Sequence, residues 1–158
     1  MAHLSFATPF GSLTIFELED ALVALEWGTA ADAGTTPLLD RVRVGLLRYF
    51  DGAPLPFDWP LAPSGTAFQH RVWDQLRAIP FGSTVSYGAL AHTVDSAPRA
   101  VAGACARNPL PIIIPCHRVV AADGSLGGYS GGDGLATKEA LLRLEGITLP
   151  SLKSLAHV

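Results

Sequence analysis

Cysteine is scarce in this chain of 158 residues: Cys105 and Cys116 are the two it has. Two cysteines are too few for a disulfide framework, and free thiols suit a reducing interior. Long apolar runs are missing as well. No uninterrupted stretch approaches the ~18 residues of a membrane span, so no membrane association is expected. The N-terminus has no basic segment followed by an apolar one, no secretory signal is visible, and the expected address is cytoplasmic. Positive charge is thin. The 11 Lys and Arg against 14 Asp and Glu leave a net charge of −3, which argues against a broad basic face of the kind that clamps nucleic acid.

The deficit is uneven. Residues 1–64 carry three Lys or Arg and eight Asp or Glu, whereas residues 65–147 carry seven and six. The acidity therefore sits in the N-terminal part, and the rest is close to neutral. What is abundant is ordinary for a globular protein: 49% of residues are hydrophobic and 16% charged. A chain of this length can bury a sizeable core as one unit, or as a small domain beside a larger one.

Residues 3–27 alternate like strands, with 12–18 and 21–27 flanking Glu19 and Asp20 as a tight hairpin. Thr36 and Pro37 read as N-cap and first turn of a helix, and Leu38, Leu39, Val42, Leu46 and Tyr49 recur at helical spacing. Residues 51–64 hold four prolines and read as a linker. No chemistry-bearing constellation occurs in residues 1–64, which read as a scaffold domain. Thr66 and Gln69 form a capping box at the head of a helix whose core stripe is Phe68, Val72, Leu76 and Ile79. Two short helices, at about 86–94 and 99–107, are separated by Asp95, Ser96 and Ala97 in a helix-turn-helix pattern. The second is thin on most faces, with Ala100, Ala102, Gly103, Ala104 and Ala106. Such a helix can pack closely on a neighbour or enter a minor groove only about 6 Å wide. Residues 119–121 and 127–129 read as a hairpin around Asp123 and Gly124. A last helix at 136–145 turns Leu141, Leu142 and Leu144 inward and stops at Gly146, leaving 148–158 as a tail.

The stretch at 107–120 stands apart. Pro109, Pro111 and Pro115 fix φ and remove three backbone donors, so no helix forms there. Ile112, Ile113 and Ile114 are β-branched and predict a short buried strand. The chain thus reaches Cys116 through a stiff, apolar approach and leaves it through His117 and Arg118. A free cysteine is commonly a small buried hydrophobe. Neighbouring His and Arg favour the other reading, a nucleophile whose thiol pKa is lowered.

Ile-Pro-Cys-His-Arg-Val-Val at 114–120, with Arg-Asn-Pro before it and Gly-Gly-Tyr-Ser-Gly-Gly at 127–132 after it, resembles the O6-alkylguanine-DNA alkyltransferases. These are the methylated-DNA–protein-cysteine methyltransferases. The likeness covers roughly residues 65–146. It implies an α+β (α/β) fold: a small N-terminal strand-and-helix scaffold domain over 1–64, ribonuclease-H-like, then a helix-turn-helix-containing alkyltransferase domain over 65–147. It also implies single-turnover DNA repair, in which an alkyl group on O6 of guanine, or O4 of thymine, moves to Cys116. In that picture His117 is the base, acting through a water and oriented by Glu145. The Tyr87 hydroxyl donates to the guanine ring, and Asn108 is the hinge before the active-site segment. The backbone of Cys116 and Val119 accepts the base's exocyclic amine, Ser130 donates toward O6, and Tyr129 belongs to the loop closing over the base. Arg99 replaces the flipped nucleotide in the stack, on a recognition helix that meets the minor groove through Ala100 and Ala104. The implied partner is double-stranded DNA containing O6-alkylguanine, bound by a monomer that can cluster along it, with no cofactor.

Departures from the family pattern are a shorter turn between Tyr87 and Arg99, Ala102 where glycine is usual, and a longer loop after Ser130. They bear on adduct range. Cys105 reads as packing. Residues 1–64 contain only His3 and no cysteine, so the zinc site of some relatives is not expected. Two rival readings are a cysteine hydrolase, which needs Cys and His in direct reach, and a lesion-binding protein that performs no transfer.

Overall fold

The computed structural model describes residues 1–31, 34–129 and 131–148. The chain divides into two compact units, Met1–Ser64 and Gly65–Val158. Helices and small sheets occur in both parts, and the fold is α+β. Among the described residues no helix is long and apolar enough to cross a membrane.

In the first unit, β1 (Ala2–Thr8), β2 (Gly11–Leu18) and β3 (Ala21–Trp27) form an antiparallel meander. Glu19 and Asp20 turn the second hairpin with φ of 51° and 63°, the left-handed pair a two-residue loop of this twist requires. Helix α1 (Pro37–Phe50) is capped by the Thr36 side chain, which accepts the Leu39 N–H. Its stripe of Leu39, Val42, Leu46 and Tyr49 is fully buried, as are Leu13, Ile15 and Leu22 of the sheet. Burial of that kind contributes about 1.5–3 kcal/mol per large side chain.

Residues 51–64 are not the loose linker their prolines predict. The Leu22 N–H donates to the Pro60 carbonyl at 2.9 Å, and the Ala62 N–H donates to the Leu22 carbonyl at 2.8 Å. Trp59 is buried, with its ring lying where a Cβ on Gly45 would stand, 2.3 Å away. Proline removes donors only at its own nitrogen, so the residues between can still bond along β3.

The second unit opens with α2 (Ala67–Arg77), whose Thr66–Gln69 capping box is formed from both sides. Its Trp73 is buried and donates through Nε1 to the Ala104 carbonyl at 2.9 Å. After β4 (Val85–Ser86) come α3 (Tyr87–Thr93) and α4 (Pro98–Ala106). The turn between these helices passes through Asp95 at φ 54°. The apolar segment then ends in one turn of 3₁₀ helix, Cys116–Arg118, leading into β5 (Val119–Val120) and later α5 (Leu135–Leu144). Strands β4 and β5 pair in parallel, Val85 with Val119 and Ser86 with Val120.

Two sequence expectations fail here. The isoleucines do not form a strand: Ile112 has φ 72°, and the Ile114 N–H closes a turn onto the Leu110 carbonyl at 2.8 Å. Three prolines leave too few donors for a ladder, and side-chain bonds take over. The hairpin around Asp123 is also absent. Ala121 donates to the Ser125 carbonyl at 2.9 Å and the Asp123 carboxylate takes the Ser125 N–H, while β5 spends its edge on β4.

Candidate active site

Asn108 shapes the approach to Cys116. Its Oδ1 accepts the Leu110 N–H at 2.9 Å and its Nδ2 donates to the Ile114 carbonyl at 2.7 Å. The same carbonyl takes the Cys116 N–H at 2.8 Å. A left-handed, β-branched residue is costly, and these bonds hold Ile112 there. Cys116 is consequently fixed by its backbone, at the first position of the 3₁₀ turn rather than on a strand. Side chains of adjacent residues in a 3₁₀ turn diverge by about a third of a revolution, so Cys116 and His117 point apart.

His117 and Arg118 are buried, and both converge on Glu145, the residue that ends α5. His117 Nε2 lies 2.5 Å from Glu145 Oε2. Arg118 grips the same carboxylate through Nε at 2.8 Å and Nη2 at 3.1 Å, and gives Nη1 to the Ile79 carbonyl at 2.7 Å. Glu145 Oε1 also accepts the Gly82 N–H at 3.1 Å. Burial pulls the His117 pKa below its ordinary value against the pull of Glu145. A neutral ring that donates from Nε2 to the carboxylate presents Nδ1 as its acceptor.

The cysteine itself behaves differently from the sequence expectation. Burial pushes the Cys116 thiol up; a hydrogen bond from Asn108 and the charge of Lys138 oppose the rise. Arg118, expected to lower it, is committed to Glu145 and Ile79. The thiol rests protonated.

Lys138 is the site residue that sequence reasoning missed. It is fully buried on α5, and its Nζ donates to the Val119 carbonyl at 2.6 Å, the Gly128 carbonyl at 3.1 Å and Tyr87 Oη at 3.4 Å. Burial lowers its pKa to about 8. The signal was available: Lys138, Leu141, Leu142 and Glu145 fall at helical spacing on the face that carries the inward leucines.

A cavity of about 330 Å³ lies beside Cys116. Tyr87, Gly128 and Tyr129 line it with Ala102, Cys105 and Ala106 of α4. Burial raises the Tyr87 hydroxyl to about 12, leaving it a donor at neutral pH. Gly127 is required where it stands, because a Cβ there would meet the Tyr87 ring at 2.8 Å on a backbone of φ 71°. The Tyr129 hydroxyl is buried without a hydrogen-bond partner among the described residues, and burial raises its pKa.

The expected residues thus divide. Cys116, Tyr87 and Tyr129 share the cavity, Asn108 braces it, and His117 with Glu145 forms a linked pair. Val119 is buried, with its carbonyl already taken by Lys138, and does not line the cavity. Ser130 lies outside the described residues. Arg99 and Ala100 are exposed at the start of α4, but Ala104 is buried. The exposed face of α4 runs through Arg99, Ala100, Gly103 and Ala106 instead. Cys105, expected only to pack, is on the cavity wall.

Two family descriptions match the chain: 6-O-methylguanine DNA methyltransferase, DNA binding domain, over residues 67–147, and 6-O-methylguanine DNA methyltransferase, ribonuclease-like domain, over residues 1–63. A methylated-DNA–protein-cysteine methyltransferase of Methanothermobacter thermautotrophicus is 44% identical over 71% of this chain, a match spanning 61% of that protein's length. One from Metallosphaera sedula is 38% identical over 94% of this chain and 97% of its own. Among solved structures, Mycobacterium tuberculosis OGT in complex with DNA superposes with a TM-score of 0.81 at 38% identity, covering 92% of each chain. With both halves matched in order, the chain belongs to the 6-O-methylguanine DNA methyltransferase family.

Proposed function

We propose that this protein repairs DNA by moving an alkyl group from O6 of guanine, and from O4 of thymine, onto Cys116 Sγ, once per molecule. The observation that carries the reading is Cys116 facing the cavity while the adjacent His117 is tied at 2.5 Å to a buried Glu145. A buried thiol of raised pKa is a poor resting nucleophile, which limits stray reaction. Neutral His117, oriented by Glu145, removes the thiol proton through a water as the base arrives. The thiolate attacks the O6-bound carbon and the C–O bond breaks. Guanine leaves neutral by taking a proton from the Tyr87 hydroxyl, which Lys138 Nζ, 3.4 Å away with a pKa of about 8, can replace.

The cavity cannot reach into a stacked duplex, so the target nucleotide is flipped out, at a cost of a few kcal/mol. Exposed Arg99 fills the gap, and the small exposed residues of α4 lie against the minor groove. Tyr129 and Ser130 close over the base, with Ser130 donating to O6. Every named group comes from one chain, which fits a monomer acting on double-stranded DNA, and two free thiols fit a reducing cytoplasm. A hydrolase would need the imidazole in direct reach of the thiol, and the two side chains diverge.

Peptide mapping after incubation with duplex DNA containing O6-methylguanine tests the proposal. A methyl group on Cys116, absent in Cys116→Ser, is expected; release of a free methylated product with Cys116 unmodified would overturn it.

A further inference from the structure

The cavity holds two thiols. Cys105 and Cys116 both line it, and both are free and buried. Three hydrogen bonds tie their backbones together: Asn108 N–H to the Cys105 carbonyl at 3.2 Å, Asn108 Nδ2 to the Ile114 carbonyl at 2.7 Å, and Cys116 N–H to that same carbonyl at 2.8 Å. Cys116 also acts electrostatically on Cys105. Methyl transfer leaves Cys105 without a chemical part. We propose that Cys105 is a second alkyl-accepting site, which closes a two-carbon thioether bridge to Cys116 whenever the group received by Cys116 carries a leaving group on its second carbon.

The inference rests on the alkyl-transfer reading, because Cys116 must be the first acceptor. An ordinary thioether is inert, and a methylated Cys116 stays as it is. A 2-haloethyl thioether is not inert: the Cys116 sulfur displaces the halide from the second carbon and forms a three-membered episulfonium cation. Ring strain and positive charge make that cation an electrophile for a neutral thiol. The Cys105 sulfur attacks one ring carbon, the C–S bond to Cys116 at that carbon opens, and its electron pair returns to the Cys116 sulfur. The Cys105 proton leaves to solvent. Two C–S bonds result, halide and proton depart, and no oxidant or reductant is required. Water competes for the cation, but a held thiol acts at high effective concentration. The alternative nucleophile near a flipped base is the DNA, so the bridge would also spare the cell a protein–DNA cross-link.

The test treats the full-length protein with 1,2-dibromoethane, which loses one bromide to Cys116 and the second on ring formation. A parallel sample receives duplex DNA containing O6-methylguanine. Intact mass and peptide mapping under reducing conditions should show the bridge as the main product: two carbons and two hydrogens gained, with the Cys105 and Cys116 peptides linked. Cys105→Ser and Cys105→Ala should lose the bridge and carry a 2-hydroxyethyl group on Cys116. Wild-type protein with 2-hydroxyethyl-Cys116 and free Cys105, in a preparation whose parallel sample is methylated on Cys116, overturns the bridge alone. A parallel sample without methyl on Cys116 overturns the transfer reading and the bridge with it.

Discussion

At the scale of single residues, Glu145 and Lys138 divide the electrostatic work of the site between them. Glu145 is a buried carboxylate serving an imidazole, a guanidinium and a backbone N–H, so neutralising it changes three partners together. For Glu145→Gln we expect single-turnover transfer to fall by about 10²-fold or more, the scale of a lost general base. Denaturant titration should also show a loss of about 3 kcal/mol, because Arg118 keeps its charge in a buried site. Wild-type transfer at lower stability but unchanged rate would remove His117 from the mechanism. Lys138→Met removes one of the groups that lower the Cys116 thiol pKa and takes the donor from two carbonyls. The expected result is a further upward shift in the pH dependence of Cys116 alkylation by iodoacetamide, with about 1–3 kcal/mol of stability lost. A downward shift would contradict the assigned polarity. Lys138 was legible as a residue at helical spacing with Leu141 and Leu142. A lysine on an apolar stripe is unusual, and the carbonyls that hold it come from β5 and the following loop, distant in sequence.

At the scale of elements, caps and turns were readable because their causes are local. Thr36 and Thr66 each accept an N–H three residues on, and Glu19 and Asp20 turn a hairpin by their own backbone. Elements whose partners lie elsewhere were not readable. The isoleucine run has strand composition, yet the Asn108 side chain and three prolines bend it into a turn. Residues 51–64 look loose until Trp59 finds the space over Gly45. Helix α4 shows both sides of the issue: its thinness was visible, but which alanines face outward depends on α2, since Trp73 bonds the Ala104 carbonyl. Two substitutions separate the faces. Ala104→Leu should lower stability by about 1–3 kcal/mol through overpacking, whereas Ala100→Glu should leave the melting temperature near wild type and weaken DNA binding. Arg99→Ala should slow repair of duplex DNA more than reaction with a free alkylated base. Equal losses on both substrates would contradict an extrahelical role for Arg99.

At the scale of the whole molecule, stability should carry the signature of buried titratable groups. Cys105 rises from an ordinary 9.0 to about 12 and Tyr87 from 10.0 to about 12. An acid whose folded pKa exceeds its unfolded value keeps its proton in the fold, so its contribution is full below the unfolded pKa and drains as pH rises toward the folded one. Cys116 shifts in the same sense. Lys138 runs the other way, from 10.5 down to about 8, adding stability as pH climbs through that interval. Denaturant titrations should therefore find a maximum near pH 9 and a fall above it, where the losses from the two thiols and Tyr87 outweigh what Lys138 still adds. The central claim is that Cys116 accepts one alkyl group and keeps it, since an unactivated thioether offers no easy leaving group, even to the Cys105 thiol that shares the cavity. Titration of the protein with excess duplex O6-methylguanine DNA, followed by intact mass, tests this most directly. Methyl transfer should plateau at one group per chain with every Cys116 methylated; transfer continuing past one equivalent with unmodified Cys116 at the end would contradict it.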